Sequence, residues 1–353
     1  MKRVSVIVVT YNDADHVAGV LQSIFDQTYP NVEVIAIDNA STDSSAIELQ
    51  KYSDRVRVIL NETNLGFAAA QNQGMRGSSG DWVLSLNPDA RLHRDCIAEL
   101  VHAGEASQEI GSVSPKIYRW AEGRSFESCK QLDSAGMYFT TSLRHFDRGS
   151  QDEDGPSYSF PCYVMGCTGA AGFYRRAMIE DVSCQDQFFD EDFFCYREDA
   201  DVVWRSQLLG WKCLFAPRAI AYHVRTVFHT NRASLSSAIN MHSTKNRFLM
   251  RIKNVTPAVY SKVFIATTLR DALVIVYVVL KEHSSLAGLR FVVLNWKRFL
   301  QKRRWIQSKI RVEPSYMAFW FAKAPATIPL SPEAAKHLEA CCAQATFVST
   351  ECH

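Results

Sequence analysis

The stretch VSVIVVTYN, residues 4–12, is a nearly unbroken β-branched apolar run that stops at a polar turn. A run of this kind suits a strand covered on both faces, as in a parallel sheet. Working outward, residues 16–26 carry Val17, Val20, Leu21 and Ile24 at the spacing of one helix face. QTYPN then breaks the helix. VEVIAID (Val32–Asp38) predicts a second strand, and NASTDSS, dense in Asx and Ser caps, opens a second helical pattern. Residues 55–60 predict a third strand. Residues 64–77, NLGFAAAQNQGMRG, read as a glycine-bounded loop and small-residue helix, and Trp82–Leu86 gives a fourth strand ending at Asn87-Pro88-Asp89. Repeated alternation of strand and helix argues an α/β doubly wound sheet, whose ligands lie beyond the carboxyl ends of its strands. Asp38 and Asp89 both sit at such ends.

Further along, residues 119–160 are polar and loop-rich, which predicts an irregular insertion over the sheet edge. Residues 161–179 predict a strand and helix around a small-residue turn, and residues 210–224, GWKCLFAPRAIAYHV, a strand pair ending near His223. Between them, residues 189–205, FDEDFFCYREDADVVWR, set six carboxylates among five aromatics. Charge among large apolar rings is costly, and carboxylates held there acquire the raised pKa a general base needs. The alternative is the acidic first turn of an ordinary helix, with Asp201 and Arg205 as an i,i+4 surface pair.

Composition bounds the function. A chain of 353 residues, 47% hydrophobic and 11% aromatic, holds a real core and is not disordered. Ten cysteines without a CxxC pair, and a start lacking a signal-peptide cleavage pattern, predict free thiols in a reducing cytosol, the adjacent Cys341 and Cys342 included. The net charge of +2 is unevenly spread: residues 245–311 hold fifteen Lys/Arg against two acids, a net +13 that leaves the remainder at −11. From residue 236 the pattern becomes long helices. Residues 263–280 are strongly apolar, but Arg270 and Asp271 at the centre argue against a membrane span and for an amphipathic helix in the interface plane. Residues 291–305 mix Trp and Phe with Lys and Arg, the composition of membrane-surface helices, although a basic hairpin packed on the rest of the chain has the same composition. The basic helices carry no nucleic-acid-binding motif, so no nucleic-acid partner is expected.

VSVIVVTYN, QTYPNVEVIAIDNASTD, NLGFAAAQNQG, LNPDA and FDEDFFCYREDADVVWR followed by GW run in order across residues 3–250. Together they resemble the family 2 glycosyltransferases of GT-A fold, and most of all the bacterial rhamnosyltransferase-like enzymes of cell-surface glycan synthesis. The resemblance implies a GT-A catalytic domain over residues 1–235, with a nucleotide-sugar-binding half (1–118) and an acceptor-binding half (119–235). It also implies a membrane-associating helical extension over 236–353, at the inner face of the cell membrane. The implied reaction is inverting transfer of a sugar from a nucleoside diphosphate donor, dTDP-rhamnose or a UDP-sugar, to a lipid-linked or polysaccharide acceptor.

Residue by residue, the resemblance gives Asp199 the role of base with Glu198 as its neighbour. Donor contacts fall to Thr10, Tyr11, Asn12, Asp38, Gly66, Asn72, Asn87, Asp89, Gly169 and Ala170. The acceptor wall falls to Asp190, Asp192 and Phe193, and Mg²⁺ or Mn²⁺ to Asp89 and His223. Asn87 stands where the family has the first aspartate of its DxD motif, which leaves Asp89 as the principal carboxylate. Two readings of other classes stay open: a nucleotidyltransferase, although the glycine-rich, lysine-bearing signature is absent, and a non-catalytic sugar-nucleotide-binding module.

Overall fold

The computed structural model describes residues 1–225, 236–331, 334, 335 and 338; Cys341 and Cys342 lie outside them. β1 (Val4–Thr10) is fully buried and sits between β2 (Val32–Asp38) and β4 (Trp82–Leu86), parallel to both; β3 (Arg57–Leu60) extends this group beyond β2. Alternate residues of β1 serve opposite faces, as strand geometry requires. Val4, Val6 and Val8 enter one core with Val17, Val20, Leu21 and Ile24 of helix α1 (Ala14–Phe25), while Ile7 and Val9 enter the other. Two cores, one per face, are the physical reason for the continuous apolar run.

Past β4 the sheet becomes mixed. β11 (Ala171–Arg175) runs antiparallel to β4 and to β6 (Ile110–Arg119), and β6 runs parallel to β12 (Lys212–His223). The expected strand pair over residues 210–224 is instead this one strand of 12 residues. Its register shifts between Ala216 and Ile220, where Pro217 cannot donate to the ladder. β5 (Ala90–Leu92) pairs with β12, setting Ala90 opposite His223, and β10 (Cys162–Val164) runs antiparallel to the other part of β12. The insertion over residues 119–160 is less irregular than expected: β7 (Leu132–Ser134) pairs with β6, and β8 (Met137–Phe139) forms a hairpin with β9 (His145–Asp147).

Five more helices of the α/β unit follow in chain order: α2 (Ser45–Gln50), α3 (Phe67–Arg76), α4 (Cys96–Glu105), α5 (Arg176–Val182) and α6 (Glu198–Leu208). The C-terminal part comprises α7 (Ser237–Asn254), α8 (Pro257–Lys281), α9 (Leu286–Leu294), α10 (Trp296–Ser308) and α11 (Pro314–Phe319), and β13 (Ile328–Pro329) adds to the sheet beside β10. These helices share a core with the sheet: Leu249, Met250, Val263, Phe299, Ile306 and Trp320 pack in the cluster that holds Ile7 and Ile37. Some basic side chains of these helices point inward, although in the 291–305 stretch only Lys302 is buried and Lys297, Arg298 and Arg304 stay exposed. Arg247 and Arg251 pair with Asp271, Lys253 with Asp190 and Asp201, and Lys302 with Asp190 and Asp192. What α8 turns outward is apolar, with Ile265, Leu269 and Leu273 all more than 60% exposed. It is long and apolar enough to cross a membrane by length and composition, yet Val259, Val263, Thr267 and Val278 are buried against the protein.

Candidate active site

The carboxyl ends of the parallel strands come level. Thr10 is in register with Asp38, and Val8 with Leu86, so the loops after β1, β2 and β4 open on one edge. At that edge Thr10 Oγ1 donates to Asp38 Oδ1 (3.2 Å), Asp38 Oδ2 accepts from the Ser41 amide (2.9 Å), and Asn12 Oδ1 accepts from the Thr42 amide (2.8 Å). Asp38 therefore caps its own loop, and Tyr11 is half exposed beside it. The following Asp13 has its pKa raised by burial, with a contribution from the charge of Asp89, which connects this edge electrostatically to the next.

A cavity of about 1060 Å³ runs under the insertion and the C-terminal helices; Thr10, Tyr11, Asn12 and Asp38 are not among the residues that line it. Asn87, Asp89 and His223 line it together with Gly169, Ala170, Glu198 and Asp199. His223 arrives beside Asp89 because β12 pairs with β5; its Nε2 lies 3.2 Å from Asp89 Oδ1 and its Nδ1 2.9 Å from Asp133 Oδ2. Burial lowers the imidazole pKa, but the two carboxylates outweigh it and hold the ring up at about 9. Asp133 is fully buried, and Arg225 lies 3.0 Å from its other oxygen. Burial raises this carboxyl, while His223 and Arg225 bring it below its usual value.

Glu198 and Asp199 form the first turn of α6, where the helix dipole favours negative charge. Asp199 Oδ2 accepts from the Gly169 amide (3.0 Å) and Oδ1 from the Ala200 amide (2.7 Å). A Cβ at position 169 would lie 3.2 Å from Asp199 Oδ2, so Gly169 permits the close approach. Burial raises the Asp199 pKa even so. Burial and the neighbouring charge of Asp199 push Glu198 up further, and its Oε2 is buried without a hydrogen-bond partner. The chain reaches this turn through Phe194, Tyr196 and Arg197, all at positive φ (66°, 67° and 72°), a strain typical of functional sites. Asn246 of α7 holds that segment: its Nδ2 lies 2.7–2.9 Å from the carbonyl oxygens of Phe193, Cys195 and Tyr196.

Several expected site residues are placed elsewhere. Asp190 is buried between Lys253 and Lys302, Asp192 meets Lys302 and Arg298, and Phe193 is fully buried beneath the Lys253 ammonium at 4.7 Å. They anchor the C-terminal helices and do not line the cavity. Asn72 uses both ends of its amide on the Phe189 backbone (2.7 and 3.0 Å) and its second N–H on Glu191 Oε1 (3.0 Å), which fastens α3 to the acidic segment and commits both amide protons. Gly66, at φ 84°, makes room for a ring: a Cβ there would fall 2.5 Å from Phe194. Asp201 and Arg205 form the expected i,i+4 pair, at 2.9 Å, but buried. Asp133, Asp147, Arg225 and Asn246 were not singled out in the sequence. Asp133 sits in LDS, an acid between small and apolar neighbours, with no pattern marking it as buried.

Among the described residues no group of three or more His, Cys, Asp or Glu is arranged to hold a metal alone. The pair Asp89 and His223 nevertheless fits a site that substrate phosphates complete, since Mg²⁺-type sites commonly use one or two protein ligands. The carboxylate behind the imidazole is the usual support for a ligating histidine.

The chain is 28% identical over 270 residues to the N-acetylglucosaminyl-diphospho-decaprenol L-rhamnosyltransferase of Mycobacterium tuberculosis, covering 69% of this chain and 83% of that protein. It is 26% identical over 237 residues to the amylovoran biosynthesis glycosyltransferase AmsB of Erwinia amylovora, covering 64% and 70%. A mannosyltransferase of Pyrobaculum calidifontis, solved in complex with GDP-Man and Mn²⁺, aligns over 90% of this chain and 85% of its own at 18% identity, with a TM-score of 0.50, a likeness of fold. The profile described as Glycosyl transferase family 2 matches residues 5–181, half of the sequence, and with the mixed GT-A sheet and its strand-end cavity this places the chain in that family as a glycosyltransferase.

Proposed function

We propose that the enzyme transfers a sugar, with inversion, from a nucleoside diphosphate sugar to a hydroxyl of a lipid-linked or polysaccharide acceptor in bacterial cell-surface glycan synthesis. The observation that carries this reading is one cavity lined by Asp199 and Glu198 as well as by Asn87, Asp89 and His223. A single displacement needs one base on the acceptor side, and Asp199 takes that role. The acceptor oxygen bonds to the anomeric carbon, the bond from that carbon to the diphosphate breaks, and the acceptor proton passes to Asp199. Its raised pKa, caused by burial, suits it to receive that proton. Glu198 orients the acceptor hydroxyl.

Asp89 and His223 would hold Mg²⁺ or Mn²⁺, with Asn87 beside them, and Asp133 fixes the imidazole so that Nε2 faces the ligand side. When bound, the ion neutralises charge developing on the departing nucleoside diphosphate. Thr10, Tyr11, Asn12 and Asp38 face the nucleoside end of the donor, and Gly169 and Ala170 face its sugar. The likeness to the mycobacterial L-rhamnosyltransferase supports L-rhamnose as that sugar, hence dTDP-rhamnose as donor. The outward apolar face of α8 supports peripheral attachment at the cytoplasmic side of the membrane.

Asp199→Asn tests the assignment. It is expected to lower kcat by roughly 10²–10⁴-fold while donor KM and nucleotide binding hold; an unchanged kcat removes Asp199 from the base role. Thermal shifts with individual nucleotide sugars, with and without Mn²⁺, identify the donor, because a ligand of the native state raises its apparent stability.

A further inference from the structure

One wall of the cavity is built by α8 and not by the sheet. Arg270, Leu273, Val274, Val276, Tyr277, Leu280 and Lys281 line it, so the C-terminal half of the helix borders the site. This wall begins with the Arg270 guanidinium, is apolar from Leu273 to Leu280, with Leu273 68% and Leu280 65% exposed, and ends at Lys281. At its Arg270 end two more arginines line the same cavity, Arg144 from the turn before β9 and Arg247 from α7. Burial, then the charges of Arg270 and Arg247, press the Arg144 guanidinium below its ordinary pKa, which marks the three as near neighbours. The described ion pairs give this group one carboxylate, Asp271, which Arg247 shares with Arg251. Arg270 Nε is buried without a hydrogen-bond partner. Like charges gathered at the end of an apolar wall call for an anion that carries a hydrocarbon tail.

We propose that Arg144, Arg247 and Arg270 hold the diphosphate of a polyprenyl-type lipid acceptor, whose first isoprenoid units lie along residues 273–280 of α8. This rests on the glycosyl-transfer reading and names its acceptor class. The dimensions agree. From Arg270 to Leu280 the helix rises about 15 Å, the length of roughly three isoprenoid units. Arg144 directly precedes β9, and Asp147 at the far end of that strand is close enough to Asp199 to raise its pKa. Three strand steps cover about 10 Å, room for one hexose between the diphosphate and the base. Asp89 and His223, where the donor diphosphate belongs, are held by β12 and the chain between β4 and β5, not by α8. A soluble polysaccharide would use neither the arginines nor the apolar wall.

The test is equilibrium binding of geranylgeranyl diphosphate to the full chain without nucleotide sugar, followed by tryptophan fluorescence, with inorganic pyrophosphate and geranylgeraniol as partial probes. The wild type is expected to bind the prenyl diphosphate at least about tenfold more tightly than either partial probe. Arg270→Gln and Arg144→Gln should each weaken it about tenfold and leave geranylgeraniol unaffected. Leu273→Asp should weaken the prenyl diphosphate and spare pyrophosphate. Unchanged binding in both arginine variants overturns the proposal, as does pyrophosphate binding as tightly as the prenyl diphosphate. A loss of UDP binding in the arginine variants with prenyl diphosphate binding intact would assign the cluster to the donor and overturn it equally. If Arg270→Gln fails to fold, Arg144→Gln decides the matter, since Arg144 is only half-buried and forms no ion pair among the described residues. The probe needs no turnover, so an inactive Asp199→Asn or an absent transferase activity leaves this result standing on its own.

Discussion

Replacing Lys253 with methionine removes the charge at the centre of a buried network while keeping most of the length of the side chain. Its ammonium lies 2.5 Å from Asp190 Oδ2 and 2.9 Å from Asp201 Oδ2, and the three side chains are 1%, 6% and 0% exposed. Breaking a buried ion pair by removing one partner costs about 3–5 kcal/mol, because the remaining charge is left unsolvated. Here each acid retains a cation: Asp190 keeps Lys302 at 2.6 Å, and Asp201 keeps Arg205 at 2.9 Å along with Asn254 at 2.7 Å. The loss should therefore fall at the low end, about 3 kcal/mol, read as a shift of the urea midpoint at pH 7 with unchanged slope. Adding Asp190→Asn should cost less than the sum of the two single changes. Acid should narrow the gap. Burial raises the Asp190 carboxyl, but Lys253 and Lys302 prevail and hold it well below the usual range, so its contribution is present above the unfolded value and is lost as pH falls below about 4. A destabilisation under about 1 kcal/mol at pH 7, or one that does not change down to pH 3, would refute the idea that the network anchors the C-terminal helices.

Three other outcomes are expected. Asp133→Asn should weaken Mn²⁺ binding in the presence of UDP by about 10–100-fold, measured by electron paramagnetic resonance, without changing UDP binding in the absence of metal. In chelator-treated protein, His223 has a raised folded pKa, so its stabilisation is complete below about 6.5 and is lost as pH rises through about 9, up to about 3 kcal/mol in denaturant titrations; His223→Asn should flatten that slope. Ile265→Glu combined with Leu269→Glu on the outward face of α8 should release the protein from anionic liposomes in flotation assays while preserving its melting temperature.

The N-terminal half was legible because its signals are local. The β1 run and the Val17, Val20, Leu21, Ile24 face of α1 state their burial in their own spacing, and strand ends place Asp38 and Asp89 without further information. Glu198 and Asp199 could be found from their motif, but the acids a few residues earlier could not be separated from them. Asp190 and Asp192 look alike in sequence, and only the arrival of Lys253 and Lys302, 63 and 112 residues after Asp190, makes the first a buried anchor. The pairing of Arg247, Arg251, Lys253 and Lys302 was hidden for the same reason: their acids are distant in sequence, and only the fold shows that these four charges are neutralised inside while Lys297 and Arg304 stay exposed. Asp133 was missed because its partner His223 is 90 residues away and the surrounding loop composition conceals β7.

Since α8 offers one apolar surface to solvent and another to the reaction cavity, a detergent that coats the helix in purification also occupies a boundary of the site. If the proposed prenyl acceptor lies along α8, micelle concentration becomes a kinetic variable, because surfactant tails would compete with it for Leu273, Tyr277 and Leu280, which line the cavity. On the proposed lipid acceptor, rates would be comparable between preparations only at a stated ratio of surfactant to acceptor.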